Sequence, residues 1–183
     1  MGRGLPSFLG SMTIALVGLA CASESNADQK FSYNHSSPPS SSQYVHDYSI
    51  DMDDLPGHKI RILEIQRKYT KDQPEVAGVK VTETWFRGFT DYSSASGGPG
   101  HGYETWILED GSKIFLESNF VSNTELTASG SKRGTSHATS RFIGGTGKFA
   151  AIRGSLRSTT EFDSDPKTGY NRPSTQGDYW LAN

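Results

Sequence analysis

Between Tyr44 and Leu181 the apolar residues mostly alternate with polar ones, and clusters of Gly, Asp, Asn and Ser interrupt them at strand-sized intervals. A period of two belongs to an extended chain with one buried face, and no window of the sequence carries a convincing helical period. The pattern predicts an all-β domain of about eight strands, near Tyr44–Met52, Lys59–Thr70, Gly78–Phe89, Gly102–Glu109, Lys113–Val121, Gly134–Ile143, Phe149–Phe162 and Gly177–Leu181. Strands of this number and length close into an antiparallel barrel whose interior is filled by side chains or holds one small ligand. Asp110-Gly111 is expected to form a type I′ hairpin turn, and Gly57 to take positive φ at the end of Asp53-Asp54-Leu55-Pro56-Gly57. The segment from Asp91 to Gly100, rich in Ser and Gly, is expected to be a mobile loop at one barrel mouth.

The stretch from Gly144 to Gly154, GGTGKFAAIRG, sets a glycine-rich turn between two strand-like runs. It is not a nucleotide-binding loop. A P-loop needs Ser or Thr after its lysine, where Phe149 stands, and a dinucleotide fingerprint needs glycine where Ala150 stands. The structural reading is a tight turn with glycine at positive φ. Phe149 and Ile152 are then buried anchors, and Gly154 marks a bend or a close backbone approach.

The first 27 residues read as a secretory signal peptide, with Arg3 ahead of a short apolar core, Met12 to Ala20, and a small-residue cleavage site at Ser25-Asn26-Ala27. That core is too short to span a bilayer. Ala20-Cys21-Ala22 is a competing site, and lipidation of Cys21 is the alternative maturation, although Gly18 stands where a lipoprotein signal usually has Leu. Cleavage after Ala27 removes the only cysteine, so the mature chain has neither a disulfide nor a cysteine ligand or nucleophile. Residues 28–43, with their Ser36 to Ser42 run, read as a flexible Ser/Pro-rich tether to a barrel domain at 44–183. The predicted location is secreted or periplasmic.

Composition narrows the partners. The 18 bases and 20 acids give a net charge of −2, unchanged when the signal peptide removes Arg3 and Glu24. Such a balance gives no electrostatic footprint for nucleic acid, and no basic amphipathic helix is present for membrane binding. The five histidines lie far apart, without metal-site spacing, so no metal is expected; His137 and Arg141 share one strand face. No Gly-x-Ser-x-Gly elbow marks a hydrolase nucleophile.

Function then turns on which residues point inward. In the third predicted strand Val79, Val81, Glu83, Trp85, Arg87 and Phe89 share one parity, the more apolar one, and are assigned to the interior. Glu83, Arg87, Glu117 and Asn119 are the candidate catalytic residues, a polar cluster able to polarise or protonate a bound oxygen. Trp85, Tyr103 and Phe115 are the candidate ligand-binding walls. The competing reading of the four polar residues is a satisfied ion pair or cross-strand salt bridges on a solvated face.

The GGTG-x-F-x-x-x-x-G turn at Gly144 to Gly154 resembles the signature of dirigent proteins and the related turn of plant allene oxide cyclases, and secreted bacterial proteins of the allene oxide cyclase barrel-like group look nearer still. The order of a Trp-bearing strand (Glu83 to Gly88), an Asp-Gly hairpin (Leu108 to Phe115) and the glycine turn is similar to theirs. The resemblance covers roughly Tyr44 to Leu181 and implies a small antiparallel barrel, trimeric in many plant members, that needs no cofactor. It implies a small apolar or aromatic ligand, confined and oriented for cyclisation or isomerisation. The alternative is a non-catalytic exported binding or structural protein on the same barrel.

Overall fold

The computed structural model describes residues 28–182. The segment expected to be a signal peptide, residues 1–27 with Cys21, lies outside the described residues. Ten strands follow in chain order: β1 (Gln29–Asn34), β2 (Ser42–Asp51), β3 (His58–Lys68), β4 (Glu75–Val76), β5 (Val79–Ser93), β6 (Gly97–Leu108), β7 (Lys113–Leu126), β8 (Lys132–Gly145), β9 (Ile152–Asp163) and β10 (Tyr170–Leu181). All pairings are antiparallel, in the order β1-β10-β9-β8-β7-β6-β5-β3-β2, with β4 folded back on β5. The chain is an all-β antiparallel barrel with one seam. The two end strands, β1 and β2, are not hydrogen-bonded to each other, although residues 35–41 alone connect them.

All eight expected strands are present, most of them longer than the alternation suggested. Two expectations of disorder are corrected. The proposed tether supplies β1, which pairs with β10 from Gln29↔Tyr179 to Asn34↔Ser174 and buries Phe31 in the core. A segment with one apolar side chain to bury and a free sheet edge to pair with is ordered by the edge, which composition does not register. The Asp91–Gly100 segment is not a loop but the ends of β5 and β6, paired at Ser93↔Gly97 across a three-residue turn.

Turn chemistry differs in one place. At Asp110-Gly111 only the glycine has positive φ (81°), and the Gly111 amide donates to the Leu108 carbonyl at 3.0 Å. The connection is therefore not type I′, which needs positive φ at both central residues. That geometry belongs instead to Ala77-Gly78, with φ of 49° and 75° between Val76 and Val79. The GGTG turn is as expected. Gly147 has φ 56°, Phe149 and Ile152 are fully buried, and a Cβ on Gly154 would lie 2.1 Å from the Asp178 carbonyl oxygen.

The core gathers at one end of the barrel, where β5, β7 and β9 start and β6, β8 and β10 finish. Val76, Val81, Leu108, Ile114, Phe149 and Ile152 are almost completely buried there. Tyr179 ties β1 and the Ala77 turn to this plug, its hydroxyl donating to Gln29 Oε1 at 2.6 Å and accepting from the Ala77 amide at 2.8 Å. Above the plug the interior is not filled.

Candidate functional site

One irregularity decides what faces the interior. Val81 pairs with Leu108, but Glu83, two residues on, pairs with Ile107, so β5 carries one extra residue at Thr82. A bulge of this kind shifts the strand by one and transfers every later side chain to the other face. Val79 and Val81 point into the plug as expected. Beyond Thr82, however, Thr84, Phe86, Thr90 and Tyr92 line the interior, and Glu83, Arg87 and Phe89 face outward.

The candidate residues follow that shift and assemble on the outside of the barrel. Arg87, Tyr103 and Glu117 stand in register across β5, β6 and β7. The Nε of Arg87 donates to Glu64 Oε1 at 2.7 Å, and Arg141 donates to Glu117 Oε2 at 2.5 Å, holding the Glu117 carboxyl below the usual carboxylate range. Asn119 Oδ1 lies 3.0 Å from His101 Nδ1. Trp85 donates to Glu83 and lies under the Arg87 guanidinium, 5.0 Å from its ring centroid. Phe115 is in register with Thr105 on the same outward row as Trp85. Of the seven residues only Trp85 borders the cavity, with its indole engaged on the outer side. The assignment of Glu83, Arg87, Glu117, Asn119, Tyr103 and Phe115 to an interior pocket is corrected. The parity argument placed Glu83 and Arg87 on one face of β5, and that face is the outer one. His137 and Arg141 share that outer face, His137 within 3.2 Å of Thr159 Oγ1.

The interior that replaces them is a cavity of about 770 Å³ bordered by residues of nine strands. Its wall joins two kinds of chemistry. Aromatic rings come from Phe31, Tyr33, Phe86, Trp106 and Phe120, with Phe86 and Phe120 in an edge contact at 5.7 Å. Gly88, Gly100 and Gly102 make room for them, since a Cβ at Gly102 would lie 2.6 Å from the Phe86 ring and one at Gly100 2.3 Å from Phe120. Hydroxyls come from the facing side, where Ser118 and Ser140 (2.6 Å apart) and Ser158 and Thr175 (2.9 Å apart) form a row across β7 to β10. Small side chains there are what leave the space open.

Glu104 on β6 places a carboxylate within this cavity. Its Oε2 accepts from Trp106 Nε1 at 2.9 Å and its Oε1 from Ser118 Oγ at 2.5 Å, so the carboxylate is held from both sides. Hydrogen bonds to an ionised acceptor are the stronger kind and fix its direction. Toward the open end the wall carries ion pairs. Arg61 donates to Asp47 (2.5 Å), which lowers the Asp47 pKa, and its guanidinium lies over the Tyr44 and Tyr92 rings. Three buried polar atoms on the wall have no partner among the described residues: Tyr33 Oη, Thr90 Oγ1 and Asn171 Oδ1. Burial without a partner costs about 1–3 kcal/mol per group, so each is a place where a bound polar group would be stabilised.

Sequence reasoning took Tyr103 from β6 and left out Glu104, its neighbour on the opposite face of the strand. The available signal was the Ser/Thr alternation of β8 and β9, which marks a polar wall but not which side of the barrel it faces. Among the described residues no group of three His, Cys, Asp or Glu side chains is placed to hold a metal.

No family model matches this chain, and no curated protein matches it. Among solved structures, a pterocarpan synthase dirigent protein is similar with a TM-score of 0.40 and 16% identity, over 95% of this chain and 100% of that one.

Proposed function

We propose that this chain is an exported barrel that takes a small aromatic, hydroxyl-bearing molecule into its interior. The observation that carries the reading is the pairing, in one 770 Å³ space, of aromatic walls with a fixed carboxylate and unpartnered buried polar atoms. Ligand sites combine a mostly apolar lining with a few placed polar groups, and a volume of about 300–1,000 Å³ suits a drug-sized molecule. The open interior favours ligand binding over a barrel whose inside is only packing.

A cofactor-independent isomerase or cyclase is the second reading, favoured by Glu104. A carboxylate positioned by Trp106 and Ser118 inside an aromatic enclosure has the geometry to take a proton from a bound hydroxyl or acidic carbon and return it elsewhere. Confinement between Phe86, Phe120 and Trp106 supplies orientation. Native mass spectrometry of protein purified from its own compartment tests the binding claim. The wild type is expected to carry a small-molecule adduct that Ala138→Trp, which fills the cavity from β8, excludes. An adduct retained by that variant at wild-type occupancy contradicts it.

A further inference from the structure

Arg67 occupies a position unlike the other charged groups of the barrel wall. It lies near the end of β3 in register with Thr84, just above the plug. It borders the main cavity and also a second crevice of about 360 Å³, whose lining includes His35, Ser37, Ser41, Gln66 and Lys71, along the seam where β1 and β2 fail to pair. Among the described residues, Arg67 and Tyr69 alone border both spaces. Its Nε donates to Ser42 Oγ at 2.9 Å, and it has no carboxylate partner among the described residues. Arg61 is neutralised by Asp47 and Arg133 by Asp163. The guanidinium of Arg67 thus keeps its Nη donors for something else.

What surrounds it is suited to an anion. Tyr33 packs edge-on to Tyr69 at 6.2 Å and stacks with His35 at 5.9 Å, and its hydroxyl is buried without a partner. Burial pushes the Tyr33 phenol well above its ordinary pKa, so it stays a donor. A fork of guanidinium donors beside a phenol O–H matches a planar carboxylate, which accepts two parallel N–H bonds and a third from the side. Lys132, the other cation on the main cavity's wall without a carboxylate partner among the described residues, is held against Tyr92. Its site is remote from Arg67. Tyr92 and Thr84 are eight positions apart on β5, about 26 Å along a strand.

Resting on the cavity as the ligand site, we infer that the ligand is an aromatic carboxylate whose acid group docks on Arg67 and Tyr33 at the seam. The ring then lies among the aromatic walls, and a ring hydroxyl can donate to Glu104.

Matched probes test this: 6-hydroxy-2-naphthoate and its neutral carboxamide, titrated by fluorescence against wild type, Arg67→Gln, Arg67→Lys and Lys132→Gln, each checked by thermal melt. The wild type is expected to bind the carboxylate at least about tenfold more tightly than the amide, the value of one charge-assisted contact. Arg67→Gln should abolish that preference by weakening the acid alone, Arg67→Lys should retain part of it, and Lys132→Gln should leave it unchanged. Equal binding of both probes to the wild type overturns the carboxylate site and leaves the cavity standing. A preference that survives Arg67→Gln, or vanishes in Lys132→Gln, overturns the assignment to Arg67. Failure of both probes to bind the wild type overturns the cavity reading and this inference together.

Discussion

Val81 and Glu83, two residues apart on β5, point to opposite faces of the barrel wall, because Thr82 is an extra residue between the partners Leu108 and Ile107. The outer-face residues beyond it are therefore a solvated charge ladder rather than a pocket. Glu83→Gln and Arg87→Gln are each expected to change stability by no more than about 1 kcal/mol, the range for exposed pairs, and to leave ligand binding unaffected. Denaturant melts and a binding titration check this. A large loss of affinity in either variant would return function to the outer face.

The GGTG turn offers a test of backbone strain without packing. Gly147 has φ 56°, and a Cβ there meets nothing within 4 Å. Gly147→Val should destabilise the barrel by about 1–3 kcal/mol through the left-handed conformation alone. Gly147→Asn, a residue that tolerates this region, should cost less. Equal melts for the two variants would show that conformation is not the constraint.

How much of this was legible beforehand can be argued from the same residues. The eight strands, the Gly147 turn and the burial of Phe149 and Ile152 follow from alternation and glycine placement, which are local properties. The interior was not legible, since a single unpaired residue at Thr82 reverses the parity of everything after it and leaves no mark in composition. β1 was missed for a related reason. Its order comes from the β10 edge and from burial of Phe31, both remote in sequence.

The β1 pairing bears on maturation. Because β1 begins at Gln29, whose side chain accepts from Tyr179 at 2.6 Å, cleavage after Ala27 would leave the strand whole. We propose that the mature chain starts at Asp28, and N-terminal sequencing of the exported protein is expected to find it there. An acylated Cys21 at the terminus would make the protein lipid-anchored and sink the proposal.

Acid stability should depend on Asp163. The Asp165 amide and then Arg133 stabilise its carboxylate and lower its pKa from the usual 3.8. A depressed folded-state pKa means that this contribution is complete above the unfolded value and is lost as pH falls from there through the folded one. Denaturation midpoints should therefore decline below about pH 4. Asp163→Asn should be less stable than wild type at neutral pH and show a shallower decline. Parallel pH profiles for the two proteins would rule out this source.

The most direct test of the interior site is a calorimetric titration of 6-hydroxy-2-naphthoate into wild type, Ala138→Trp and Ser158→Phe, the last two filling the cavity from adjacent strands. One-to-one binding to the wild type, weakened at least about tenfold in both variants while their melts stay cooperative, is the predicted result. Undiminished binding to both filled barrels would contradict the account.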